Sequence, residues 1–252
     1  GDGAVLAPLL ELLALPFLGR NPAPAAEDRS LRSFEPHMEI LPKAQRALWG
    51  LLAPCVDLGF VLYGGTAIAL QLGHRSSVDF DFFSHFPLDL RKERGILEAL
   101  PFLREARRIQ VEPNTRTYIT DGNVKLSFFG EIRFGRVGEP LETNDGVLRV
   151  ASLKDLMATK LAVVMQRVES KDYRDIAALI RNGTNLEAGL AGASALYGAQ
   201  FPSSECVRTL TYFHGGDLEN LTKEDRDTLL GAAALLRIGP LPDVPVLSLR
   251  LS

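Results

Sequence analysis

Residues 63–84 read YGGTAIALQLGHRSSVDFDFFS, and the two ends of this stretch decide the fold. The short apolar run from Phe60 to Tyr63 stops at Gly64 and Gly65, after which Thr66 opens a sequence of helical character that its hydroxyl is placed to cap. That order is strand, tight turn, helix. Val78 to Phe83 then alternates polar and apolar residues at period two, the mark of a strand with one buried face. Asp79 and Asp81 fall on one side of it, Phe80 and Phe82 on the other.

The chemistry gathers on the carboxylate side. Residues two apart on a strand have Cα atoms about 6 to 7 Å apart, a separation at which two carboxylates can ligate one divalent ion or share a pair of them. Gly64, Gly65 and Thr66 offer backbone that phosphate oxygens can approach, a hydroxyl donor, and the positive end of the following helix. An NTP carrying Mg2+ or Mn2+ suits both halves. Phosphoryl and nucleotidyl transfer ask for little beyond positioning and charge neutralisation. Arg75, after the helix, can clamp a phosphate through two N–H donors or pair with Asp79 or Asp81 when no metal is bound. Asp-x-Asp alone occurs on many solvated strands, so the glycine turn upstream is what gives the pair functional weight.

Working outward, apolar spacing predicts a helix over residues 43–53, bounded by Pro42 and Pro54. A second helix is expected over 88–103, then strands over 106–111, 115–120 and 124–129, with Asp121-Gly122-Asn123 as a hairpin turn between the last two. A short strand over 148–151 precedes a run of helices over 153–167, 171–181, 186–196, 203–212 and 223–236. The fold class is α+β: a mixed sheet flanked by helices, followed by a helical C-terminal region. The expected division is an extension over residues 1–37, an α/β domain over 38–151 and a helical domain over 152–252, with Ser152 a natural cap at the junction.

Composition narrows the class. Of 252 residues, 46% are hydrophobic and 23% charged, which are globular values that exclude a disordered, collagenous or coiled-coil chain. The formal net charge of -3 provides no global basic field for nucleic acid or an anionic membrane, so any RNA contact is expected to be local, for instance a groove along Arg104, Arg107, Arg108, Arg133 and Arg136. Cys55 and Cys206 lack a CxxC partner and the four histidines lack metal spacing, so neither a disulfide framework nor a zinc site is expected. A reducing cytoplasm fits. Residues 4–18 are almost wholly apolar, but Glu11, Pro8, Pro16 and the shortness of the run argue against a membrane span.

The stretch from Tyr63 to Ser84 resembles the AbiEii/AbiGii toxin family of nucleotidyltransferase-like proteins, found in bacterial toxin–antitoxin and phage-defence systems. A second segment is similar to that family's Lys-Leu-x5-Arg helix and Lys-Asp-x-x-Asp helix: Lys160-Leu161 with Arg167, then Lys171-Asp172 through Asp175. The likeness spans about residues 38–182. It implies a nucleotidyltransferase fold with Asp79 and Asp81 as metal ligands, Gly65 and Thr66 at the phosphates, Lys160 meeting the nucleotide phosphates, and Asp172 or Asp175 completing the active site. It also implies transfer of NMP from an NTP to an acceptor hydroxyl, with tRNA or another RNA as recipient and a cognate antitoxin as partner. The spacing agrees independently, since Lys160 and Arg167 fall two turns apart on one helical face and Asp172 and Asp175 share a face of the next helix.

One feature departs from the wider superfamily. Where many relatives carry a third carboxylate on a later strand as the base, this chain has Val124-Lys125-Leu126-Ser127, and Ser127 cannot serve. Either Asp172 or Asp175 compensates, or the protein is a catalytically reduced nucleotide- or partner-binding module that retains the fold. Small-molecule acceptors form a third option.

Overall fold

A computed structural model describes residues 31–198, 201–237 and 239–250. The chain forms two compact units that interleave in sequence: one holds residues 31–133, 139–152 and 248–250, the other residues 134–138 and 153–247. The extension expected over 1–37 lies outside the described residues up to residue 30.

The first unit is built on a mixed sheet of eight strands: β1 (Ser33–Phe34), β2 (Val61–Tyr63), β3 (Asp79–Phe83), β4 (Arg107–Glu112), β5 (Thr115–Ile119), β6 (Lys125–Phe129), β7 (Leu141–Thr143) and β8 (Arg149–Val150). They run in the order β1-β7-β8-β2-β3-β6-β5-β4. β3 pairs antiparallel with β2 and parallel with β6, so it lies in the middle of the sheet with both backbone edges used. The hairpins β4–β5 and β5–β6 turn at Asn114 (φ 60°) and Asn123 (φ 57°), residues whose short amide tolerates the left-handed region. Phe80, Phe82, Leu126 and Phe128 pack one face, where the Phe82 and Phe128 rings stack with centroids 5.3 Å apart and Phe60 meets Phe128 edge-on. Each such ring, fully removed from water, contributes about 1.5–3 kcal/mol.

The helices of this unit are α1 (Lys43–Leu48), α2 (Pro54–Asp57), α3 (Gly64–Leu72) and α4 (Leu90–Ala99). The helix expected over 43–53 stops early and passes into a 3-10 turn, Trp49–Leu52, where Gly50 weakens the helix and Pro54 lies ahead. That expected over 88–103 is capped by Asp89, which accepts from Lys92 N at 2.8 Å, and ends before Pro101. Leu100, just before the proline, leaves the helical region at φ -121° and ψ 70°, as the proline ring demands. Two strands escaped the sequence reading. β1 and β7 are two and three residues long and pair with each other, so neither has a periodicity to read, and residues 33–34 join the sheet rather than standing apart from it.

The second unit comprises α5 (Leu153–Val163), α6 (Ser170–Arg181), α7 (Leu186–Tyr197), α8 (Ser203–Thr211) and α9 (Lys223–Ala234). α5 packs closely on α7 because Gly189 removes a side chain there: a Cβ would come within 2.6 Å of Met157 Cγ. Asn185 caps α7 through Ala188 N, and Thr222 caps α9 through Asp225 N, each at 3.0 Å. The buried Asp155 on α5 accepts from Val137 N at 2.6 Å and Gly138 N at 3.1 Å, which ties residues 134–138 to the helices.

Candidate active site

Asp79 and Asp81 leave the same face of β3, both half-buried, while Phe80 and Phe82 between and beyond them are fully enclosed. Register carries this face across the sheet: Asp81 lies beside Tyr63 on β2 and Ser127 on β6, and Ser127 in turn beside Thr117 on β5. The glycine bend is close. Gly64 sits at φ +76°, and a Cβ there would come within 2.7 Å of Asp81 Oδ2. Only a residue without a side chain lets the backbone at the start of α3 pass so near the carboxylate. The first backbone N–H groups of a helix have no partner within it, so they and the positive end of α3 favour negative charge beside Asp81.

Thr66 behaves differently from the expectation. α3 begins at Gly64 with Tyr63 as its N-cap residue and no side-chain cap, so Thr66 is not the cap. Its hydroxyl is buried and donates to the backbone carbonyl of Asp79, while standing 2.7 Å from Ser77 Oγ. That bond ties α3 to β3. Gln45 on α1 adds a second tie, donating from Nε2 to Val78 O at 3.0 Å. The strand carrying the carboxylates is thus pinned at two consecutive carbonyls. Arg75 is half-buried and donates to Ser76 O at 3.0 Å.

Lys125, which the sequence reading did not single out, lies opposite Asp79 in the β3–β6 register, with Nζ 3.0 Å from Asp79 Oδ2. Nothing in the spacing of the chain brings the two together; the parallel pairing does. Ser127 is fully buried and accepts from Thr117 Oγ1 at 3.4 Å. Among the described residues no cluster of three or more His, Cys, Asp or Glu side chains is placed to hold a metal. Two carboxylates are nevertheless the usual protein share of a Mg2+ site, the remaining positions being filled by water and substrate phosphates. The hard-oxygen donor pair, and the room left above Asp81 by a glycine, fit such an ion.

In the helical unit, Lys160, Arg167, Asp172 and Asp175 do come together. Lys160 Nζ stands 2.5 Å from Asp172 Oδ1 and 2.9 Å from Asp175 Oδ2, and Arg167 Nε stands 2.7 Å from Asp172 Oδ2. Arg167 Nη2 also donates to Asp172 Oδ1 at 3.0 Å, so the guanidinium grips the carboxylate with two donors. The expectation that Lys160 and Arg167 share one helical face is corrected here: α5 ends at Val163, and Arg167 reaches Asp172 from the connection to α6. Both aspartates are 0% exposed, not solvated surface groups. Burial pushes the Asp172 carboxyl up, but Lys160 and the Arg167 guanidinium outweigh it and hold the group below its ordinary range.

Of the residues expected along a basic groove, Arg104, Arg107, Arg108 and Arg133 are exposed and Arg136 is not. Arg136 is buried and donates to Gly138 O, Arg108 pairs with Glu93 at 3.2 Å, Arg133 pairs with Glu131, and Arg104 donates to Leu97 O. No helix among the described residues is long and apolar enough to cross a membrane.

A family model described as "Nucleotidyl transferase AbiEii toxin, Type IV TA system" matches residues 46–238. The chain belongs to the AbiEii nucleotidyltransferase toxin family. The match includes both the carboxylate pair on β3 and the helical segment carrying Lys160 and Asp172. An uncharacterized protein of Aquifex aeolicus (strain VF5) is 35% identical over 148 residues, which is 57% of this chain and 69% of that protein. An H. pylori crystal structure assigned as a nucleotidyltransferase is similar with a TM-score of 0.43 and 20% identity, covering 76% of this chain and 89% of its own. The Megavirus polyadenylate synthase structure is similar with a TM-score of 0.42 and 13% identity over 56% of this chain and 32% of its own. These structural likenesses are loose, and membership of the AbiEii family rests on the family model.

Proposed function

We propose that this protein is a divalent-metal-dependent nucleotidyltransferase that moves NMP from an NTP to an acceptor hydroxyl, releases pyrophosphate, and acts as the toxin of a toxin–antitoxin pair. The observation that carries the reading is the packing of the Gly64 backbone against Asp81, with Asp79 on the same face of β3. Asp79 and Asp81 hold the ion, which when bound supplies positive charge to the reacting phosphate and the leaving pyrophosphate. Gly64 and Gly65 receive phosphate oxygens on their backbone, and the start of α3 adds its dipole. Thr66 and Gln45 keep the carboxylates in place by holding the carbonyls of Asp79 and Val78. Arg75, beyond the C-terminal end of α3, is a further candidate for phosphate contact.

Roles toward phosphate for Lys160 and Arg167, and toward the acceptor for Asp172 or Asp175, belong to the same proposal under one condition. Their charges are paired with one another, so such a role requires that pairing to exchange for charge on a ligand. RNA, tRNA above all, is the acceptor the family resemblance implies, with a cytoplasmic setting, an antitoxin partner and phage defence as the context. The second reading, a nucleotide-binding protein with reduced chemistry, draws on Ser127, which stands beside Asp81 where a third carboxylate would act as base.

The test is transfer of label from α-32P-labelled NTPs to total RNA in the presence of Mg2+ or Mn2+. Asp81→Asn is expected to lower transfer by at least about a hundredfold, the loss typical when a charge-stabilising group is removed, with unchanged thermal melting. Equal transfer by both proteins would sink the catalytic assignment. Binding of NTP without transfer by the unaltered protein would favour the second reading.

A further inference from the structure

A cation already stands against the proposed ion site. Lys125 Nζ stands 3.0 Å from Asp79 Oδ2, with the two side chains 16% and 33% exposed. Their Cα atoms are direct neighbours on adjacent parallel strands inside the sheet, so the pair is set by register and not by two long side chains meeting on a mobile surface. Exposed ion pairs of that kind contribute little. This one stands on the very carboxylate that a divalent ion needs.

We infer that Lys125 is a resident counter-ion of Asp79 and hands it over only to a metal–nucleotide complex. This rests on the transferase reading above. A divalent ion arriving alone gains two carboxylates but must break the Lys125–Asp79 contact and remain close to an ammonium that has lost its partner. A metal–triphosphate complex removes that penalty, because the polyphosphate gives Lys125 a new anion within reach of its flexible stem. A compact ammonium with rotatable donors suits this exchange, since it can turn from carboxylate to phosphate without the fixed fork geometry of arginine. Metal and nucleotide then bind with positive coupling, and by linkage each raises the affinity of the other equally. Lys125 would touch the nucleotide phosphates directly, as part of substrate recognition. The ligand is the NTP as its metal complex, and free metal is held weakly.

The experiment is a calorimetric Mn2+ titration of the full chain, with and without each of the four NTPs in non-transferable α,β-methylene form. Unaltered protein is expected to bind Mn2+ weakly alone and at least about tenfold more tightly with the accepted analogue, a factor equivalent to about 1.4 kcal/mol. Lys125→Gln is expected to bind Mn2+ alone about tenfold more tightly than the unaltered protein and to lose most of the enhancement by nucleotide. Lys125→Arg keeps the charge and should retain weak binding of metal alone. Melting curves establish folding, and Lys125→Met, which preserves the apolar stem, replaces the Gln variant if that one does not fold. If the neutral variants bind free Mn2+ no more tightly than the unaltered protein while that protein still shows metal and nucleotide binding, Lys125 is not the counter-ion and the inference falls alone. If the unaltered protein binds no Mn2+ even with nucleotide, the transferase reading fails and takes this inference with it.

Discussion

At Gly64 the backbone turns with φ +76° while Asp81 Oδ2 lies where a Cβ would stand, so one position carries both a conformational and a steric demand. An L-residue in the left-handed region costs about 1–2 kcal/mol, and a methyl group here must also push the carboxylate aside. Gly64→Ala is therefore expected to lower stability by about 1–2 kcal/mol in urea denaturation and to weaken Mn2+ binding in the presence of nucleotide. A variant that loses stability but binds metal normally would show that Asp81 is not held by this contact. Thr66 teaches the same lesson in the opposite sense. As a threonine beside two glycines it reads as a helix cap, yet its hydroxyl proton goes to the Asp79 carbonyl. Which acceptor a hydroxyl finds depends on what the fold brings to it, and β3 reaches it first.

Across α5, α6 and their connection, Lys160, Arg167, Asp172 and Asp175 form a group of two cations and two anions with the aspartates fully enclosed. Removing one partner of a buried pair strands the other charge, so Asp172→Asn is expected to destabilise the protein by about 3–5 kcal/mol in denaturant titrations at neutral pH. The pH dependence follows from the depressed Asp172 group. The stability it contributes is present above its ordinary value of 3.8 and is lost as pH falls through the lower folded value. Unaltered protein should thus lose stability steeply in acid below about pH 4, whereas Asp172→Asn, already lacking this contribution, should show a shallower decline. Parallel curves for the two proteins would refute a dominant part for Asp172. The helix boundaries show a related effect: Pro101 ends α4 where apolar spacing alone ran on, because the residue before a proline is forced out of the helical region.

At the scale of the whole molecule, each compact unit encloses one cysteine, Cys55 in the sheet unit and Cys206 in the helical one. Burial pushes both thiols up to about 12. Neither is expected to react with a thiol-specific reagent at pH 8 in the folded protein on the time in which an unfolded control is fully labelled, and along a urea titration each should become reactive as its own unit opens. Fast labelling of either in the absence of denaturant would contradict this enclosure. Much of the molecule was legible beforehand because it is written locally. The period-two alternation of Val78 to Phe83, the glycines after Tyr63, the Asp121-Gly122-Asn123 turn and the helical spacing after Ser152 are properties of a few neighbouring residues, and β2, β3, β5, β6 and the succession of helices follow from them. Pairing across the sheet has no such local trace. The parallel partnership of β3 with β6, which sets Lys125 against Asp79 and Ser127 beside Asp81, the joining of β1 to β7, and the burial of Asp172 between Lys160 and Arg167 depend on register and packing between segments remote in sequence. The amino-acid order by itself determined which side chains share a strand face, since backbone pleating fixes that within a strand, whereas only the tertiary structure decided which charges meet across strands and helices, since that is chosen by long-range contacts to which local periodicity is blind.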